Sequence, residues 1–164
     1  GYTLHLPLED RYLVRERELL DKITVLLGGR VAEELVFKQI TTGAHNDLEI
    51  ATNYAQRMVC EYGMSKKLGH LTFGRKDHEV FLGRDIMREK DYSESTAVAI
   101  DEEVRRIVDE CYHRAQKILQ ENIDKLKKLS DRLLEKEVLE SEEVKQVVGL
   151  NHLPKEAGQE TPPF

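Results

Sequence analysis

Asp47 stands where a glycine-containing loop, Thr42-Gly43-Ala44-His45, gives way to an apolar-periodic stretch running from Ile50 to Cys60. The spacing predicts a helix opened by Asn46 as N-cap, with Asp47 in the first turn and Glu49 at the reciprocal capping-box position. A carboxylate so placed has two uses. It can simply oppose the positive end of the helix dipole, or it can bind a cation together with ligands from elsewhere. A second candidate, His78-Glu79-Val80-Phe81-Leu82, has Leu where a zinc-binding helix needs its second histidine. Two histidines at i and i+4 face one side of a helix and grip one ion, with the glutamate between them aimed at the bound water. No complete His-Glu-x-x-His segment occurs in the 164 residues, and neither does a Gly-x-x-x-x-Gly-Lys-Ser/Thr nucleotide loop. His70 and His78 lie among charges and read as surface histidines. Cys60 and Cys111 sit in apolar helical patterns and read as small buried residues in a reducing compartment rather than a bridge.

The elements that must position these groups are mostly helical. Leu19, Leu20, Ile23, Leu26 and Leu27 follow helical spacing up to Gly28-Gly29, and Val31, Ala32, Leu35 and Val36 resume it, as one kinked helix or two. The next helix spans about 46 to 62, with Leu48, Ala51, Ala55, Met58 and Val59 on its apolar face and Gly63 as its stop. Residues 64 to 92 carry little helical pattern and predict loops with at most two short strands. The longest helix starts at Ser93-Glu94 and keeps Ala97, Ile100, Val104, Ile107, Val108, Cys111, Ala115, Ile118 and Leu119 on one face. Asn122 breaks it. Ile123, Leu126, Leu129, Leu133 and Leu134 mark another helix, and Ser141 caps a short last one that ends at Gly149. Tyr2 to Leu6 alternate in character and stop at Pro7, which predicts a short N-terminal edge strand. From 151 to 164 prolines and polar residues replace periodicity, so the expectation is one domain over 1–150 followed by a disordered tail.

Composition narrows the class. Ala, Glu, Lys, Leu and Arg dominate, as long helices require. The chain carries 25 basic and 31 acidic residues, for a formal net charge of -6. Its basic clusters, such as Lys66-Lys67 and Arg105-Arg106, alternate with acids and form solvated helix faces rather than a phosphate-binding stripe, which argues against nucleic acid as a partner. No stretch approaches the ~20 apolar residues that span a bilayer, so any membrane anchor is expected outside this chain.

Six segments, in this order and spacing, carry a resemblance: Gly1-Tyr-Thr-Leu-His-Leu-Pro7, Leu26-Leu-Gly-Gly-Arg-Val-Ala-Glu-Glu34, Thr42-Gly-Ala-His-Asn-Asp47, Met58-Val-Cys-Glu-Tyr-Gly-Met-Ser65, Val80-Phe-Leu-Gly-Arg84 and Ile100-Asp-Glu-Glu-Val-Arg105. Over about 1 to 148 the chain resembles the C-terminal part of the peptidase domain of FtsH-type proteases, the membrane-anchored AAA+ zinc metalloproteases. The resemblance implies that Asp47 is the third protein ligand of a catalytic zinc. It also implies that the other two ligands and the general base come from a His-Glu-x-x-His helix N-terminal to Gly1, and that ATP is bound by a domain absent from this chain. The parent protein is expected to be a hexamer at the cytoplasmic face of the bacterial cell membrane that degrades unfolded and membrane proteins. The chain alone, with one zinc ligand and no base, is expected to be inactive and soluble. A reading from another class, a helical interaction or assembly module in which Asp47 only caps a helix, is compatible with periodicity and charge. The ordered set of six segments favours the protease.

Overall fold

Leu19, Ile23, Leu27 and Val31 recur every fourth residue, and in the computed structural model they form the buried stripe of a single helix, α1, Glu16–Phe37. The structure describes residues 13–74 and 92–150. The strand expected at Tyr2–Leu6, the His78–Leu82 segment and the tail 151–164 lie outside the described residues. After α1 come a 3₁₀ turn, Thr42–Ala44, and four helices: α2, His45–Cys60; α3, Glu94–Glu121; α4, Ile123–Lys136; and α5, Ser141–Val148. The mostly α class is as the sequence predicts. None of the helices is long and apolar enough to cross a membrane, among the described residues.

Gly28 and Gly29 do not end α1. A glycine in a helix interior costs roughly 1 kcal/mol relative to alanine, but the buried residues on either side, Ile23 and Leu27 before and Val31 after, are anchored in the interior and carry the helix through the pair. Nor do the glycines serve a close approach of two backbones, since an added Cβ at either would meet nothing within 4 Å among the described residues. The helix stops at Lys38, which takes a left-handed conformation (φ 54°) and donates its N–H to the Glu34 carbonyl.

The chain divides into two compact units, residues 1–117 and 118–164. In the first, α1, α2 and α3 share one apolar core built from Leu19, Ile23, Leu27, Ala51, Ala55, Met58, Val59, Ile100, Ile107 and Cys111. Burying a side chain such as Ile23 or Met58 completely is worth about 1.5–3 kcal/mol each. Three polar contacts add register between α1 and α3: the Cys111 thiol on the Leu20 carbonyl, the Tyr112 hydroxyl on the Glu34 carboxylate, and Arg114 with Asp21 at 2.6 Å. Both cysteines are free, Cys111 in the core and Cys60 half-buried beside it. Burial pushes both thiols up from their ordinary range.

Beyond α2 the chain turns at Gly63 (φ 59°); the Tyr62 N–H makes a six-to-one bond to the Arg57 carbonyl at 3.0 Å, and the Met64 N–H reaches back to the Met58 carbonyl at 2.9 Å. The helix itself ends two residues earlier than the spacing predicts. Within 64–74 there is no strand, only an isolated bridge between Ser65 and Gly69. Ser65 is buried and donates to Glu103 on α3 at 2.7 Å, while Arg106 grips the same carboxylate through two nitrogens at 3.0 and 3.2 Å.

The second unit is built differently. None of the residues of α4 or α5 is buried; Leu133 and Leu134, among the residues that mark α4 in the sequence, are 41% and 80% exposed. α5 starts one residue earlier than a Ser141 cap would place it. Glu140 is the N-cap and forms a reciprocal capping box with Glu143.

Candidate functional site

The start of α2 departs from the predicted capping in a way that bears on Asp47. Helical backbone begins upstream of Asn46, because the 3₁₀ turn Thr42–Ala44 runs directly into α2 and the His45 N–H is already bonded to the Thr42 carbonyl. The N-cap is Ala44, with no side-chain cap bond. Asn46 and Glu49 are exposed and belong to the helix proper, so neither the asparagine cap nor the capping box forms. The loop's own cap lies earlier, at Thr41, whose hydroxyl accepts the Gly43 N–H at 3.1 Å.

Asp47 is therefore the third residue of α2, in its first turn. Counting by fours places it on the stripe of Ala51 and Ala55, both fully buried, so its side chain leaves the end of the core-facing side of the helix, and the residue is partly exposed. Among the described residues it makes no hydrogen bond and no ion pair. In the first turn it also faces the positive end of the helix dipole, an interaction worth ~0.3–1 kcal/mol. Its donor chemistry, a hard anionic oxygen, fits one position of a zinc shell.

It fits one position and not the whole site. Among the described residues, no three His, Cys, Asp or Glu side chains come together in a way that could hold an ion. His45, two residues away, and His70, beyond α2, are both exposed. An open concavity of about 320 Å³ between α2 and α3 is lined by Thr52, Asp101, Val104, Arg105, Val108 and Asp109. Asp47 does not line it, and its charged, solvent-open walls suit neither a metal nor an apolar ligand.

Glu103, which stands in the Ile100–Arg105 segment without an expected role of its own, is only 5% exposed and the most committed carboxylate of the first unit. The Arg106 guanidinium beside it, with help from the Ser65 hydroxyl, holds its carboxyl below the usual range against the opposing effect of burial. The signal was present: Ile100, Glu103 and Ile107 keep the i, i+3, i+7 spacing of a single buried stripe.

The comparisons with known proteins bear on the same residues. Residues 1–147 match peptidase family M41. The chain is 56% identical over 148 residues to the ATP-dependent zinc metalloprotease FtsH of Pseudothermotoga lettingae, covering 90% of this chain and 24% of that protein. It is 53% identical over 155 residues to the protein of the same name in Bacillus subtilis, covering 94% of this chain and 24% of the relative. The Thermotoga maritima protein is 53% identical over 148 residues, again 90% of this chain and 24% of the relative. The chain thus spans about a quarter of the length of these curated relatives. With nine-tenths of its residues covered at this level of identity, the chain belongs to peptidase family M41, the FtsH-type zinc metalloproteases.

Proposed function

We propose that this chain is the C-terminal portion of the proteolytic domain of an ATP-dependent zinc endopeptidase, and that Asp47 supplies the third protein ligand of its zinc. The observation that carries the assignment is the position of Asp47 in the first turn of α2, partly buried as a residue and with no side-chain partner among the described residues, in a chain of this family. When bound, zinc polarises the scissile carbonyl and activates a water. The chain's own part is to hold one carboxylate at a fixed point on a rigid helix, which keeps the charge of the site lower than three neutral ligands would. Two histidines and the general base belong to a His-Glu-x-x-His segment, and none occurs in this sequence. ATP hydrolysis, assembly into a hexamer and attachment at the cytoplasmic face of the membrane belong to the whole protein, whose substrates are unfolded and membrane proteins. Residues up to Leu150 work as one portion of the peptidase domain.

The test is Asp47→Asn in the complete protease. Proteolysis of casein should be lost and bound zinc should fall, because an amide oxygen is a poor substitute for carboxylate at zinc, while ATP hydrolysis continues. Full proteolysis with unchanged zinc content would return Asp47 to a helix-terminal carboxylate. The 164-residue chain on its own should cleave nothing, with or without added zinc; chelator-sensitive cleavage that copurifies with it would contradict the assignment.

A further inference from the structure

We infer that Thr41 is a positioning residue for Asp47: clamped onto α1 by Glu33 and Arg30, it fixes the turn from which α2, and with it the Asp47 carboxylate, departs. The inference rests on the reading of Asp47 as a zinc ligand.

Thr41 is held at three points. Its hydroxyl lies 3.1 and 3.0 Å from the two carboxylate oxygens of Glu33, to which it donates. The same oxygen accepts the Gly43 N–H at 3.1 Å. Its carbonyl accepts from Arg30 Nη1 at 3.0 Å. Arg30 and Glu33 are one turn apart on α1, so side chain and backbone of Thr41 are both tied to the same stretch of a helix that is anchored in the core by Leu27 and Val31.

The connection leaves little slack elsewhere. Lys38 reverses the chain in a left-handed conformation, the 3₁₀ turn closes through Gly43 and His45, and buried Ala44 pins its end. Gly43 makes room for the clamp, since a Cβ there would lie 3.2 Å from the Thr41 hydroxyl oxygen and 3.5 Å from Glu33 Oε1. A ligand on the first turn of a helix inherits any rotation of that turn, and zinc tolerates only a few tenths of an ångström in ligand distance. Groups that orient a ligand without touching the metal typically change affinity 10- to 100-fold when removed.

The experiment measures zinc affinity of the full-length protease by competition with a chromophoric chelator, and the visible spectrum of the cobalt-substituted protein. Thr41→Val keeps the shape of the side chain and removes both hydroxyl bonds; it should weaken zinc about tenfold and shift the cobalt bands. Thr41→Ser, which restores the hydroxyl, should return both readouts to those of the parent, which a purely structural role for the methyl group would not do. Glu33→Gln, which keeps the Gly43 bond, should move affinity in the same direction by less and serves if Thr41→Val does not fold. Asp47→Asn is measured alongside. In that background Thr41→Val should cost nothing further.

If Asp47→Asn weakens zinc and the Thr41 and Glu33 variants do not, the positioning role is wrong and the ligand assignment stands. If Asp47→Asn leaves zinc affinity intact, the ligand assignment fails and this inference fails with it. A Thr41→Val loss that is undiminished in the Asp47→Asn background would mean that the turn acts on some other group, and would overturn the inference.

Discussion

The starts of α2 and α5 are both helix N-termini carrying acidic side chains in the first turn, and they use them in opposite ways. At α5 every acid is committed: Glu140 and Glu143 cap each other's backbone, Glu143 pairs with Lys136, and Glu142 pairs with Lys145. At α2 the backbone turn does the capping, and Asp47 is left without a partner among the described residues although it is half-buried. The acids of α5 are explained by helix stability alone. Asp47 has only the helix dipole to oppose among the described residues, which leaves its carboxylate available for the ligand role proposed above.

The comparison breaks most easily at Asp47 itself. Asp47→Ala in the complete protease should lower zinc affinity by about a hundredfold or more, the upper part of the range for groups that shape a zinc site, measured by chelator competition. The same substitution in the 164-residue chain should change thermal stability by no more than ~1 kcal/mol, the scale of a dipole interaction. A large stability loss without a loss of zinc would make Asp47 resemble the acids of α5.

Next in size is Glu103, where commitment and burial coincide. Glu103→Ala should destabilise the chain by about 1–3 kcal/mol, because Ser65 and Arg106 lose a shared buried partner, and chemical denaturation would measure it. The pH dependence has a definite sign. Since the folded chain holds this carboxyl below its ordinary value, its contribution is full above the unfolded carboxylate range and is lost as pH falls through the folded value. The stability difference between the parent and Glu103→Gln should therefore shrink on acidification. A difference that grows at low pH would contradict the pairing.

The smallest effect belongs to α5. Glu143→Gln removes an ion pair with Lys136, and the pull of that lysine is the main reason its carboxyl lies below the usual range. Hydrogen exchange at the backbone of α5 should quicken modestly, and added salt should produce part of the same change in the parent chain. Exchange at the start of α2 should not respond to salt, because no ion pair holds it among the described residues.

These regions also show what a sequence makes legible. The three core stripes, Leu19-Ile23-Leu27, Ala51-Ala55-Met58 and Ile100-Ile107-Cys111, were readable because helical burial leaves a period of about 3.6 in residue type. Asp47 was readable as a candidate through family resemblance. Its lack of a partner was not, since that depends on groups distant in sequence. The expected cap does not form for a physical reason: Asn46 and Glu49 have the right types and spacing, but the 3₁₀ turn starts helical backbone before them, so Asn46 lies inside the helix and not at its boundary. The Gly28-Gly29 pair leaves one helix or two open in the sequence, and tertiary anchoring at Ile23, Leu27 and Val31, which outweighs local propensity, decides for one. α4 was readable as a helix from the same period, but the period does not say how deeply Leu133 and Leu134 are buried, and both remain largely exposed.

The most direct measurement is the zinc coordination shell in the zinc-loaded complete protease, by crystallography with anomalous data at the zinc edge. The account predicts a carboxylate oxygen of Asp47 at about 2.0–2.2 Å from the ion, with Thr41 still bonded to Glu33 and Gly43. Zinc bound with Asp47 turned to solvent, or with another residue in its coordination position, would contradict it.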